Sequence, residues 1–192
     1  LDLSFTLPVA NSDGSIGLGG FNVHDLLFAG KFAPDGEMIA GGSSGGFDQL
    51  ASYGHSSELG GYRWIIDTNS DGVVNPAEGD ILTLQPPQTG FDVAGAIPFA
   101  GNFDGNADNG DEVGLYNRGT WVLDSNHDFI LDTTVDTVLS GNLLGHPVVG
   151  DFDGDGNDDL SVFNDNQFFF DLTGDGVSDQ GFTWGFPGVL DR

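Results

Sequence analysis

The stretch "GDFDGDGNDDLSVF", residues 150–163, sets a problem of charge. Asp151, Asp153, Asp155, Asp158 and Asp159 crowd one short loop, and a strand-like run follows at once. Carboxylates this close repel each other unless water or a cation takes up their charge. A solvated Asp-Gly turn is one solution and a bound metal ion is the other.

Variants of the stretch recur along the chain. "FAGKF" (28–32), "FAGNF" (99–103) and "VVGDF" (148–152) share one pattern. "DQLASY" (48–53), "DEVGLY" (111–116) and "DDLSVF" (158–163) follow, and then "WIID" (64–67), "WVLD" (121–124) and "FFFD" (168–171). Each unit closes on a β-like stretch: "DILTL" (80–84), "DTVLS" (136–140) or "GFTWG" (181–185). β-Branched and aromatic residues fill these runs, while Gly, Asp, Asn and Pro separate them. No segment sustains a helical period.

The units are about 50 residues long, and the first exceeds the others by about 20, in insertions that loops tolerate. The insertions lie around "GGSSGG" (41–46), around residues 55–60 and after Asp67. The expected fold is all-β: antiparallel four-stranded blades of a β-propeller, about three repeats, as an incomplete ring or a fragment of a longer array. A β-sandwich that only looks repetitive is the alternative. Residues 1–20 form an N-terminal strand and loop, 21–89 repeat 1, 90–141 repeat 2 and 142–192 repeat 3. "SFTLP" (4–8) resembles "GFTWGFP" (181–187), as if the chain opened on the last strand of a preceding blade. The chain therefore reads as mature, processed or excised, and self-association could close the ring.

Composition narrows the function. Thirty Asp and Glu stand against four Lys and Arg, for a net charge of −26. Nucleic acid and anionic membranes are poor partners for such a chain, because phosphate recognition needs Lys and Arg. No apolar run reaches the ~20 residues of a membrane span. With no cysteine, disulfides and thiol chemistry are excluded.

Ca²⁺ takes about six to eight oxygen ligands, which short side chains alternating with spacers can supply around a glycine bend. In the opening stretch Asp151, Asp153, Asp155, Asn157 (through its carbonyl) and Asp159 take inward positions, with Gly156 at the bend and Asp158 turned away. "DTNSDGVVNPAE" (67–78) matches the twelve-residue calcium-loop pattern through Asp67, Asn69, Asp71, Val73 (carbonyl), Asn75 and Glu78. Its flanks are strand-like, and Gly79 stops any helix begun at "NPAE". "DLTGDGVSD" offers Asp171, Thr173, Asp175, Val177 and Asp179. "DSNHDFILD" offers Asp124, Asn126, Asp128, Ile130 and Asp132, but Phe129 replaces the glycine. "NFDGNADNGDE" carries two additional residues and offers Asn102, Asp104, Asn106, Asp108 and Glu112. Two to five Ca²⁺ ions are expected, all on one end of the blades. Lys31 stands where Asp151 stands in the third unit, so no ion is expected there.

These residues resemble the FG-GAP and VCBS-type repeats of integrin alpha chains and bacterial surface or secreted proteins. "PVVGDFDGDGNDDLSVF" (147–163) with "FFFDLTGDGVSD" (168–179) carries the resemblance, which covers 90–192 well and 21–89 loosely. It implies a Ca²⁺-stabilised β-propeller on the cell surface, outside the cell or in the bacterial periplasm, often in adhesion or attached to an enzyme.

Catalytic patterns are missing from the sequence. His24, His55, His127 and His146 sit in no HExxH motif and beside no evident nucleophile, and His127 is expected to face solvent. "GLGGF" (17–21) lacks the lysine of a phosphate loop. Trp64 and Trp121 recur at one blade position and read as core. The expected function is a non-enzymatic, calcium-binding module with a structural or adhesive role and a surface-protein or glycan ligand. The alternatives are a carbohydrate-binding lectin, with exposed aromatics near Phe47, Tyr53 or Tyr62, and an accessory domain of a secreted polysaccharide-active enzyme.

Overall fold

A computed structural model describes residues 25–32, 48–57 and 59–183, and the backbone of four short pieces: Val9–Ala10, Ile16–Gly17, Met38–Ile39 and Ser43–Ser44. The expected strand at 4–8 and the closing segment beyond Thr183 lie outside the described residues.

Three antiparallel four-stranded sheets follow one another along the chain. Sheet I comprises β1 (Leu26–Gly30), β2 (Gln49–Ser56), β3 (Gly61–Ile66) and β4 (Ile81–Gln85). Sheet II comprises β5 (Ile97–Gly101), β6 (Glu112–Asn117), β7 (Thr120–Leu123) and β8 (Thr137–Ser140). Sheet III comprises β9 (His146–Gly150), β10 (Asp159–Asn164), β11 (Gln167–Asp171) and β12 (Gln180–Thr183). Each sheet is a meander in chain order, so its first and third turns lie at the same end. No closed ring forms among the described residues. The insertion at 41–46 carries a two-residue pairing, Met38–Ile39 with Ser43–Ser44. The insertion at 55–60 lengthens the β2–β3 hairpin, whose pairing runs out to Ser56 and Gly61.

Helix is confined to two three-residue 3₁₀ turns, Pro76–Glu78 and Val93–Gly95, and none is long and apolar enough to cross a membrane among the described residues. Gly79 ends the first of these turns at φ 104°.

Register repeats from sheet to sheet. Tyr53 faces Trp64, Tyr116 faces Trp121, and Phe163 faces Phe168. Their ring centroids lie 4.6, 4.5 and 4.9 Å apart, a cross-strand aromatic pair at one position of each sheet. Period-2 alternation then sends side chains to opposite faces. Val113, Leu115 and Val122 join Ala51, Tyr53, Trp64 and Ile66 in a core between sheets I and II. Tyr116, Trp121 and Leu123 join Leu160 and Val162 in a core between sheets II and III. Sheet II is covered on both faces, which is why β6 is buried along most of its length.

The first strands stand side by side, with β5 against both β1 and β9. Small residues allow that approach. A Cβ on Gly30 would stand 2.6 Å from Ala100 Cβ, and one on Gly101 would stand 2.8 Å from Val149 Cγ1.

Candidate metal centre

Two kinds of turn meet at one end of the sheets, and both are built by carboxylates receiving backbone N–H groups. After each third strand, a buried aspartate starts the loop: Asp67, Asp124 and Asp171, at 5%, 1% and 0% exposure. One oxygen of each accepts the amide of the residue five positions on. The pairs are Gly72 N to Asp67 at 2.9 Å, Phe129 N to Asp124 at 2.8 Å and Gly176 N to Asp171 at 2.6 Å. The loop after β9 repeats the bond, from Gly156 N to Asp151 at 3.2 Å. In all four loops the aspartate at the third ligand position also receives the amide two residues on: Val73 to Asp71, Ile130 to Asp128, Val177 to Asp175 and Asn157 to Asp155. These Asx turns curl the chain so that short side chains point to one centre.

The loop after β9 gathers its acids most closely. Oxygens of Asp151, Asp153 and Asp159 lie within 4.8 Å of one another. Asp151 also accepts Gly154 N at 2.6 Å, and Asp153 accepts Asp155 N at 3.0 Å. Asp155 receives both amides of Asn157, the backbone at 2.8 Å and the side chain at 3.1 Å. Asp159 is buried and accepts Phe152 N at 2.8 Å. Burial, with the nearby charges of Asp153, Asp155 and Asp151, pushes its carboxyl above the usual range. Asp158 leaves the loop: its Oδ2 accepts Asn102 N at 2.8 Å from sheet II.

In the loop after β3, Asp67 Oδ1 is buried without a hydrogen-bond donor, and burial raises its carboxyl above the usual range. Asn69 accepts Asp71 N at 2.9 Å. Asn75 caps the 3₁₀ turn through Ala77 N, which leaves Glu78 exposed on that turn. Asp80 stands at the closing position instead, buried, accepting Thr68 N at 2.8 Å and Asn75 N at 2.7 Å.

The loop after β7 has the same plan. Asn126 accepts Asp128 N at 3.2 Å, and burial raises the Asp124 carboxyl. Asp132 caps its own turn by accepting Thr134 N at 2.8 Å, while buried Asp136 closes the loop on Ser125 N at 3.0 Å. Asp179 is the counterpart in the loop after β11, accepting Leu172 N at 2.9 Å and the Thr173 hydroxyl at 3.1 Å. Sequence reasoning missed Asp80 and Asp136. Their signal was position: each immediately precedes the last strand of its sheet, as Asp179 does.

In the loop after β5, Asp104 accepts Asn106 N at 2.7 Å, and Asn106 accepts Asp108 N at 3.2 Å. Asn102 Oδ1 is buried without a donor, and Asp108 is exposed. Glu112 is opposite Gly101 in register, as Asp159 is opposite Gly150 and Gln49 is opposite Gly30. All three accept the amide of the following phenylalanine, at 2.7 Å in Phe103, 2.8 Å in Phe152 and 2.7 Å in Phe32. Sheet I thus has a neutral amide where the others have a carboxylate.

One expectation needs correction. His127 does not face open solvent: its side chain is 26% exposed and its Nε2 lies 2.6 Å from Glu112. Asp104, Glu112 and His127 form the second acidic group of this compactness among the described residues. Both groups border a cavity of about 460 Å³ between the loops of sheets II and III, with Asp104, His127, Asp155 and Asp171 on its wall.

Trp64 and Trp121 are fully buried, as core residues should be. Tyr53 is also buried, with its hydroxyl donating to Val93 O at 2.9 Å, so it offers no sugar platform. Tyr62 is half-buried against it, and Phe47 lies outside the described residues.

Comparison with protein-family models, with curated proteins and with solved structures finds no match.

Proposed function

We propose that the chain is a calcium-binding repeat module, three consecutive blades of a β-propeller of FG-GAP or VCBS type, with a structural or adhesive role in a secreted or surface protein. The gathered oxygens of Asp151, Asp153 and Asp159 carry this reading. Three carboxylates that close, on a loop wound to aim them inward, repel strongly until a divalent cation sits among them. The orphaned, buried Asp67 Oδ1 makes the same demand at a second loop. Asp151, Asp153, Asp155 and Asp159 would hold one ion; Asp67, Asn69, Asp71 and Asp80 would hold another. Each ion supplies charge neutralisation and oxygen cross-linking, the stapling that a chain without cysteine cannot get from disulfides.

The propeller reading draws on adjacency. The first strands line up side by side, and sheets I and II each bury their aromatic row under the next. In sheet III the equivalent row, Phe152, Phe163, Phe168, Phe170 and Phe182, lines an apolar hollow of about 420 Å³.

The test is thermal unfolding of the full chain with EDTA and then with excess Ca²⁺. Binding at about 100 times the dissociation constant adds about 2.7 kcal/mol per site. A melting temperature that rises by many degrees in Ca²⁺ and falls back with chelator is expected. A curve indifferent to both would remove the structural role of the ions.

A further inference from the structure

The loop after β5 holds a feature that the calcium reading does not use: a histidine from the loop after β7 reaches into it. His127 Nε2 lies 2.6 Å from Glu112 Oε1, 3.0 Å from Asn109 Nδ2 and 3.8 Å from Asp104 Oδ2. The Glu112 side chain is 3% exposed. Its Oε2 accepts Phe103 N, but its Oε1 is buried and receives no hydrogen bond, although Nε2 is so near. Asn109 Oδ1 is likewise buried without a donor.

The protons do not add up. A neutral imidazole carries one N–H and one bare nitrogen. If Nε2 is protonated, it meets the Asn109 amide donor to donor. If it is bare, it can accept from Asn109, but its lone pair then confronts the Glu112 oxygen. Turning the Asn109 amide over offers Oδ1 to the ring and removes the donor that Asp104 Oδ2 receives at 2.9 Å. With Glu112 ionised, no assignment of hydrogens satisfies all three contacts. A cation removes the clash between Nε2 and Glu112 Oε1, because it accepts lone pairs from both and from Asp104, while the Asn109 amide keeps its bond to Asp104 Oδ2.

We propose that Asp104, Glu112 and His127 form a site for a first-row divalent transition ion, separate from the calcium loops. Imidazole nitrogen suits Zn²⁺ and its neighbours, whereas Ca²⁺ takes an all-oxygen shell. The ligand atoms already lie within 4.8 Å of one another. The bordering cavity gives the ion a way in and leaves room for water to complete its shell. The proposal replaces calcium at this loop alone and does not depend on whether the loops at 67–80 and 151–159 bind it.

Zn²⁺ is titrated by calorimetry into the chelator-stripped full chain held in millimolar Ca²⁺. One tight equivalent that Ca²⁺ does not displace is expected. His127→Ala and Glu112→Gln should each weaken it by about 100-fold or more, since even outer-shell losses cost 10–100-fold. The cooperative melting of metal-free His127→Ala, compared with that of the unsubstituted chain, serves as its folding control. In the unsubstituted protein, imidazole nitrogen resonances give a second measurement: Zn²⁺ should shift Nε2 of His127 and leave His24, His55 and His146 in place. No zinc uptake over Ca²⁺, uptake unchanged in His127→Ala, or a shift at another histidine alone overturns the site.

Discussion

Phe129 occupies the bend that sister loops give to Gly72, Gly156 and Gly176, and it adopts the same left-handed backbone, at φ 57°. A side chain there costs about 1–2 kcal/mol. Its amide still serves Asp124, so the loop keeps its shape. The ring packs onto the core between sheets I and II, with its centroid 6.4 Å from that of Phe32, and burial offsets the strain. Phe129→Gly removes both effects, and Phe129→Ala removes only the packing. The alanine variant should therefore be the less stable of the two, by about 1 kcal/mol in urea unfolding. Equal stabilities would mean that the bend carries no strain. The departure from glycine was visible in the sequence, but its compensation was not, because Phe32 lies about a hundred residues away. The closing acids were hidden for a related reason. A calcium-loop template counts residues along the chain and so lands on Glu78 and Asp132, whereas Asp80 and Asp136 are set by where the next strand begins.

At the scale of the element, one device joins each sheet to the next. Asp111 accepts Lys31 N at 2.7 Å and donates its own amide to Lys31 O at 2.8 Å. Asp158 does the same with Asn102, at 2.8 Å in both bonds. Further out, Gln85 of β4 grips Leu131 of the loop after β7 by both backbone groups, at 2.9 and 2.8 Å. Tyr53 and Tyr116 tie the linkers through Val93 O and Leu143 O. The strands themselves were legible, because repeated aromatic and β-branched runs alternate with Asp-Gly turns. These cross-sheet clamps were not, since nothing in a linear pattern says which neighbour an aspartate serves. Nor was the buried pair of Arg63 with Asp25 at 2.9 Å. Asp158→Ala should cost about 1–3 kcal/mol, the loss of a charged acceptor from a partly buried amide, in EDTA and in Ca²⁺ alike. Asp153→Ala should cost stability only in Ca²⁺, since without the ion it removes a repelling charge. Unfolding curves of both variants under both conditions check this; a penalty for Asp153→Ala that persists in EDTA would show a role other than ligation.

For the whole molecule, a net charge of −26 makes the ion-free state sensitive to pH. Burial holds the carboxyls of Asp67, Asp111, Asp124, Asp159 and Glu112 above their ordinary values. Above about pH 4, where unfolded carboxylates ionise, the native state therefore binds more protons than the unfolded chain. Linkage fixes the sign: stability of the ion-free protein falls as pH rises through these raised values, because each group must then ionise while buried among like charges. Asp104 works the other way, held low first by the Asn109 amide, but it is exposed and screened by solvent. On the proposed calcium reading, bound Ca²⁺ would invert the slope, because it needs the ionised carboxylates and binds more tightly as protons leave. Above about pH 4, melting temperatures should decline with rising pH in EDTA and climb in millimolar Ca²⁺, so the two curves diverge. Parallel curves would mean that the buried carboxylates and the ion do not share a site, and the acidic loops would then be solvated turns.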